Sequence, residues 1–408
     1  MFMINGDRQW QSHMEMARIG STPAGGVCRL ALSDEDKESR DLFVQWAEQA
    51  GCAVRVDRAG NIFARRPGMD GNLPPVMTGS HLDTQPLGGR FDGAYGVLAG
   101  LEVIRSLNDD GLETRAPIDV VVWTDEEGCR FTSKTMGSMV FTGMVSESIV
   151  YDVSDPDGKT FGDELKRIGY AGSEPCGGYP IKAYFEAHIE QGPLLEQAGI
   201  PVGAVIGAQG QRCFIITVTG EEGHAGTLPM DQRKDSFLGV ARMTVAINRA
   251  AFKFQPVPVA TIAHVQVRPN SRNTIAGETK FTIDSRHPDA EILSALEEEM
   301  LGACKSIAEE MGLAIDVERT SVAPPVSFDP ILIDSVRNSA EKLGIPHMDM
   351  FSAAGHDACK LAAVAPTAMI FVPCENGISH NELENATPED LAAGTEVLYA
   401  VVLEAANS

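Results

Sequence analysis

The stretch IDVVVWTDEE, residues 118–127, carries the reading of the fold. Ile118–Thr124 is β-branched and almost continuously apolar, as in a strand covered on both faces. Strands of that kind sit in sheets with helices packed over them, so strands and helices should alternate on either side. Upstream, Gly93–Leu107 reads as a buried helix, and short apolar runs at Ala53–Val56, Asn61–Ala64 and Val76–Met77 read as strands. Ser33 followed by Asp36 predicts a helix start and Gly51 its stop. Downstream, Ala183–His188, Val202–Ile206 and Ala368–Val372 read as strands, with a last helix from Pro388. The expected class is α/β, a mixed central sheet flanked by helices.

The middle of the chain follows another pattern. Cys213–Thr219, Thr261–Val267, Thr279–Ser285 and Ala314–Glu318 read as strands, and Asp235–Ala250 and Ala290–Met311 as helices. That β-α-β-β-α-β order is the split arrangement of a small ferredoxin-like α+β domain. The Pro-rich AVAPPVSFDP near 322–330 reads as its exit linker. The expected organisation is therefore one domain in two segments, 1–211 and 326–408, with a smaller domain, 212–325, inserted between them. A chain of 408 residues is long enough to need two cores.

Composition narrows the partners. Lys and Arg number 33 against 57 Asp and Glu, a net charge of −24. No nucleic acid and no anionic membrane is expected to bind such a surface. The eight cysteines stand singly, without a CxxC pair, so neither a zinc ribbon nor a redox motif is present. A reducing, cytoplasmic setting is expected. The N-terminal residues are too polar for a signal peptide, and no run approaches the ~18 apolar residues of a membrane span.

The chemistry gathers at strand ends. His81 closes an apolar run in VMTGSHLDTQP, with Asp83 two residues on; Asp92 follows in GGRFDG, just ahead of a helix. Glu126 and Glu127 end the opening stretch, His188 ends another strand in FEAHIEQG, and His380 lies in the loop GISHNELE. α/β folds place their sites at strand ends and the adjoining loops. Histidines with carboxylates suit Zn²⁺, Mn²⁺ or a similar borderline ion. A two-metal site needs a bridging carboxylate, which Asp92 can supply, and a base free of metal. Glu126 and Glu127 can divide ligand and base between them, because neighbours on an extended strand point opposite ways. Asp83 is placed to hydrogen-bond the far nitrogen of His81 and set its tautomer. Cys129 reads as a bystander, and His13, His264, His287 and His347 as structural or surface residues.

Eight motifs then fall in order: GSHLDTQPLGGRFDG, EEGCRF, EAHIEQGPLLE, GHAGTLPM, PNSRNTIAGE, DSRHPD, AGHDA and GISHNELE. From about residue 15 to the end, the chain resembles the amidase/hydantoinase/carbamoylase family of the di-zinc aminoacylase and carboxypeptidase superfamily. The resemblance implies two divalent metal ions, most often Zn²⁺ with Mn²⁺, Co²⁺ or Ni²⁺ as alternatives, and an inserted lid that also forms a homodimer. His81 and His188 would be ligands of separate metals, Asp92 would bridge, Glu127 and His380 would complete the set, and Glu126 would be the general base. Asp83 matches an orienting aspartate, Gln191 a substrate-amide contact and His224 a lid histidine that stabilises the oxyanion. Asn273 and Arg286 match lid residues that hold a substrate carboxylate. His356 and Asp357, in AGHDA, match a loop at the site and receive no role. The implied reaction is hydrolysis of the carbamoyl C–N bond of a small anionic N-carbamoyl amino acid to amino acid, CO₂ and ammonia. HLDTQP resembles β-ureidopropionase-type members, which favours N-carbamoyl-β-alanine over N-carbamoyl-L-α-amino acids. Allantoate amidohydrolase and aminoacylase or dipeptidase activities are the alternatives. A metal-less binding protein on the same fold is disfavoured by the intact ligand set.

Overall fold

In the computed structural model, which describes residues 4–131 and 133–408, every residue of the Ile118–Trp123 strand is buried. Its sheet runs in the spatial order Ala53–Val56, Ile62–Arg66, Ile118–Trp123, Val76–His81, Ala183–Ile189, Thr367–Val372, Val202–Ala208, with His347–Ser352 paired to the last. The four central strands, from Ile118–Trp123 to Thr367–Val372, are mutually parallel. Antiparallel strands flank them on both sides, so the sheet is mixed. The four parallel strands carry their C-terminal ends to one edge, and the loops leaving that edge hold the acids and histidines described below. Helices Ala94–Asp109 and Pro388–Asn407 cover the sheet and pack on each other.

Local signals explain several of these elements. Ser33 Oγ accepts the Asp36 main-chain N–H at 3.1 Å and caps the Asp34–Gln49 helix. Several helices go beyond the expected elements, of which Pro330–Leu343 and Gly6–Met16 are the longest. Pro330–Leu343 begins inside the expected linker, capped by Asp329, which accepts from Ile331 and Leu332, with Pro330 in its first turn. An Asp-Pro start of this kind is a readable signal. The other is Gly6–Met16, a helix of mostly polar residues.

That first helix buries His13 completely, with its ring 5.6 Å from Phe91 and 6.1 Å from Tyr95 between centroids. Neither ring nitrogen has a protein partner among the described residues. Burial, aided by the Arg29 charge, pushes His13 down to about 3. The unfolded chain takes this proton near pH 6.5 and the folded chain does not, so stability falls as pH drops between those values. The contribution is at most about 1.4 kcal/mol per pH unit. His13→Phe should flatten the slope by that amount in denaturant titrations at pH 7 and pH 5; a variant that loses stability as steeply as the parent would show that His13 does not set it.

Gly207–Val326 forms a second compact unit, distinct from Met1–Ile206 with Ser327–Ser408. The first crossing comes ahead of the 211/212 boundary because the strand that opens the insertion already begins at Gly210. This unit holds a sheet in the order Val265–Arg268, Glu278–His287, Gly210–Thr219, Ala314–Ala323, with Val259–Thr261 also on Glu278–His287. Helices Ser236–Ala251 and Ala290–Met311 pack against it. Strict alternation of buried and half-buried residues along Glu278–His287 shows which face they cover. Phe214, Ile216, Val218, Phe281, Ile283 and Met300 form the core there. The single strand expected at Thr261–Val267 is instead two pieces, Val259–Thr261 and Val265–Arg268. Both lie at the sheet edge, where no outer strand holds the backbone straight. Among the described residues, no helix is long and apolar enough to cross a membrane.

Candidate metal centre

Parallel register brings the predicted residues level. His81 is the last residue of its strand and pairs with Trp123. His188 pairs with Phe371, and its ring lies 6.0 Å from that of His81. Glu126 and Glu127 do not continue the strand as expected: it ends at Trp123, and Asp125 turns the chain with φ 55°. The Asp83 carboxylate shapes this turn, accepting the main-chain N–H of Glu126 at 3.3 Å and of Glu127 at 3.2 Å. The far nitrogen of His81 is therefore not held by that carboxylate, which lies 3.8 Å away, but by the Asp83 main-chain carbonyl at 2.9 Å. His188 is held alike, Nδ1 against the Ile189 carbonyl at 2.9 Å. Each ring thus turns Nε2 inward, as metal-ligating histidines do.

Asp92 stands in the middle. Its Oδ1 lies 3.2 Å from His188 Nε2 and 3.9 Å from His81 Nε2. Its Oδ2 lies 3.3 Å from His380 Nε2, which is 3.6 Å from Glu127 Oε2. Two groups of three share Asp92: His81, Asp92 and His188, and Asp92, Glu127 and His380; a further group, Glu186, His188 and His356, does not include it. This corrects the expectation that His81 and His188 serve separate metals, since both face the same oxygen of Asp92. Glu126 belongs to neither group, with Oε2 3.7 Å from His81 Nε2. Gly93 is required beside them: its φ is 65°, and a Cβ there would lie 2.3 Å from the His81 ring.

The donors suit a pair of small divalent ions. Ligand atoms about 2.1 Å from a tetrahedral ion are about 3.4 Å apart, close to the Asp92–His188, Asp92–His380 and Glu127–His380 separations. Glu127 Oε1 is buried with no protein partner among the described residues. The charges are crowded as well. Burial, then Asp92, pushes Glu127 up to about 8; burial, then Asp357 and Glu127, pushes Glu126 well above the carboxylate range. Burial works to raise Asp92, but His188 and His380 outweigh it and hold the carboxyl low. Burial alone would lower His188, yet Asp92 carries it up to about 9. Cations among these acids would relieve the repulsion and displace the proton.

The surroundings contain further residues, several of which the motifs leave without a role. Gln85 donates its amide to Glu127 Oε2 at 2.6 Å, and the Cys129 thiol meets Gln85 Oε1 at 2.9 Å. Cys129 thus touches the support of Glu127 while remaining, as expected, outside the chemistry. Burial pushes its thiol up to about 12, so it remains a donor. Gln191 directs its amide to Asp92 Oδ2 at 2.9 Å and to Ser379 Oγ at 3.2 Å. His356 packs edge-on to His188 at 4.5 Å, and Asp357 accepts from Ser138. Glu384 accepts from the main chain of Phe91 and Asp92. The strings HLDTQP and GISHNELE contain Gln85, Ser379 and Glu384, but nothing in their spacing reveals a hydrogen bond.

In the inserted unit, His224 and Thr274 face each other across a short ladder, and the Ala225 N–H donates to the Asn273 carbonyl, so His224 and Asn273 are neighbours. Arg286 lies on the longer strand opposite Gln211 and engages Asp284 through Nε and Nη2 at 3.0 and 2.9 Å.

A model of peptidase family M20/M25/M40 matches residues 77–404. The chain belongs to this family. The enzyme is 47% identical over 404 residues to an N-carbamoyl-L-amino-acid amidohydrolase of Rhizobium meliloti, across 99% of this chain and 97% of that one. It is 36% identical to an N-carbamoyl-L-amino acid amidohydrolase of Geobacillus stearothermophilus, across 99% and 100%. The crystal structure of an amidase of the hydantoinase/carbamoylase family from Burkholderia multivorans matches with a TM-score of 0.97 and 53% identity, across 100% and 99%. Within M20/M25/M40, the enzyme thus groups with these amidases, hydrolases of non-peptide C–N bonds.

Proposed function

We propose that the enzyme hydrolyses the carbamoyl C–N bond of N-carbamoyl amino acids, yielding the amino acid, CO₂ and ammonia. The observation that carries this reading is Asp92, whose two oxygens face two separate donor pairs while Glu126 stands beside them in neither. His81, Asp92 and His188 would hold one divalent ion, and Asp92, Glu127 and His380 the other. Such ions supply Lewis acidity and lower the pKa of water. Glu126 takes a proton from the attacking water and returns it to the departing nitrogen. Asp83 keeps Glu126 and Glu127 apart by fixing their turn. Gln191 steadies Asp92 and offers an amide to substrate. His224 is assigned to the oxyanion, and Asn273 and Arg286 to the substrate carboxylate, for which a guanidinium's paired donors are suited. Zn²⁺ is the favoured metal, with Mn²⁺, Co²⁺ or Ni²⁺ as alternatives.

The names of the relatives support N-carbamoyl-L-α-amino acids over the N-carbamoyl-β-alanine suggested by HLDTQP. A panel on metal-reconstituted protein tests this, scoring ammonia from several N-carbamoyl-L-amino acids, N-carbamoyl-β-alanine and allantoate, beside a dipeptide set. The L-α compounds should have the highest kcat/KM. Turnover of dipeptides alone would sink the carbamoyl reading.

A further inference from the structure

Two loops meet at Asp92, the one that carries it and the one that carries His380. The side chain of Glu384 is the wedge between them, 1% exposed. Its Oε1 accepts the main-chain N–H of Phe91 at 2.9 Å and of Asp92 at 3.1 Å. Its Oε2 accepts from Ser379 Oγ at 3.0 Å, and Ser379 Oγ is 3.2 Å from Asp92 Oδ2. Every one of these partners is a residue of the Asp92–Glu127–His380 group or its immediate neighbour in the chain. Gly89 leaves the space for this wedge, since a Cβ there would lie 2.0 Å from Glu384 Oε1. Arg90 and Asn385 tie the same loops a second time, Nη2 to Oδ1 at 2.8 Å. Such holding suits the loop, because His380 itself sits at φ 52°, a conformation uncommon for residues other than glycine.

We propose that Glu384 is a positioning residue that sets His380 against Asp92 and so prepares the Asp92–Glu127–His380 group for its ion. The inference rests on the two-metal reading above and adds a residue to which no role had been given. Asp92 is common to both groups while His380 belongs to one, so the effect should fall mainly on the ion of the Asp92–Glu127–His380 group.

The test titrates metal-free full-length protein with Co²⁺ alone, following heat and visible absorption, with circular dichroism and Tm of the metal-free forms as controls. Glu384→Ala should weaken one of two binding events by about 10–100-fold, the usual cost of losing a ligand's hydrogen-bonded support, and the other distinctly less. Glu384→Gln keeps an acceptor for both main-chain N–H groups and offers an amide to Ser379, so it should restore the lost event. Ser379→Ala removes the hydroxyl between Glu384 and Asp92 but leaves Glu384 on the Phe91 and Asp92 main chain, and should weaken the same event to a lesser degree. Undiminished binding of both ions by Glu384→Ala overturns the proposal, as does equal weakening of both. A Glu384→Gln as weak as the alanine variant also overturns it, by showing that charge and not position matters. If the alanine variant does not fold, undiminished binding by Ser379→Ala has the same force. A parent protein that takes up one ion only overturns the two-metal reading itself, a result separate from any of these.

Discussion

If Glu126 is the proposed general base, Glu126→Gln should lower kcat by about 10²–10⁴-fold, the span that such a positioned base contributes, and should leave metal binding intact. The amide has the shape of the acid but cannot take a proton. Glu126 belongs to neither group of donors that share Asp92, so both groups keep their candidate ligands. Its main-chain N–H, not its side chain, is what Asp83 holds, so the turn to Glu127 survives. Metal content by elemental analysis and kcat from ammonia release decide the matter. Loss of metal in Glu126→Gln with retention in Glu127→Gln would mean that the two residues exchange roles.

Asp92→Asn empties both halves of the centre. Each group of three loses its only shared member's charge, and each keeps two protein donors. The loss should exceed the about 10–100-fold that removal of a ligand's hydrogen-bond partner costs. Turnover should vanish with it, as it should when a chelator strips the parent protein. Stability separates this from misfolding. An ion present at about 1,000 times its Kd stabilises the folded chain by about 4 kcal/mol. Chelation should therefore lower the parent's Tm, whereas the Tm of Asp92→Asn should be insensitive to metal and chelator alike. One ion still held tightly by Asp92→Asn would show that the carboxylate does not bridge.

Much of this architecture is legible in the chain. A continuous β-branched run such as Ile118–Trp123 has few fates other than a doubly covered strand, and a Ser33 cap or a 22-residue amphipathic run at Ala290–Met311 is a local signal. The helix Gly6–Met16 is not legible, because its buried face consists of Gln9, Ser12, His13 and Met16 and shows no apolar stripe. The edge pieces Val259–Thr261 and Val265–Arg268 look like one strand in the sequence, because residue preference does not register the missing neighbour.

Within the centre, residue types and their order along the chain make His81, Asp92, Glu126, Glu127, His188 and His380 a plausible set, and the resemblance carried by the motifs around them makes it specific. That is possible because histidines and acids are common ligands of borderline divalent ions, and parallel strands deliver them at strand ends and the loops that follow. How the set is divided is a matter of folding. The pairing of His81 with His188, the shift of Asp83 from an imidazole to two backbone amides, and the supports from Gln85 and Glu384 depend on distances of an ångström or two. Those distances come from the register of the 76–81 and 183–189 strands on their neighbours and from the turn at Asp125. They join residues as far apart in the chain as Asp92 and Glu384, and no local pattern encodes a contact of that range.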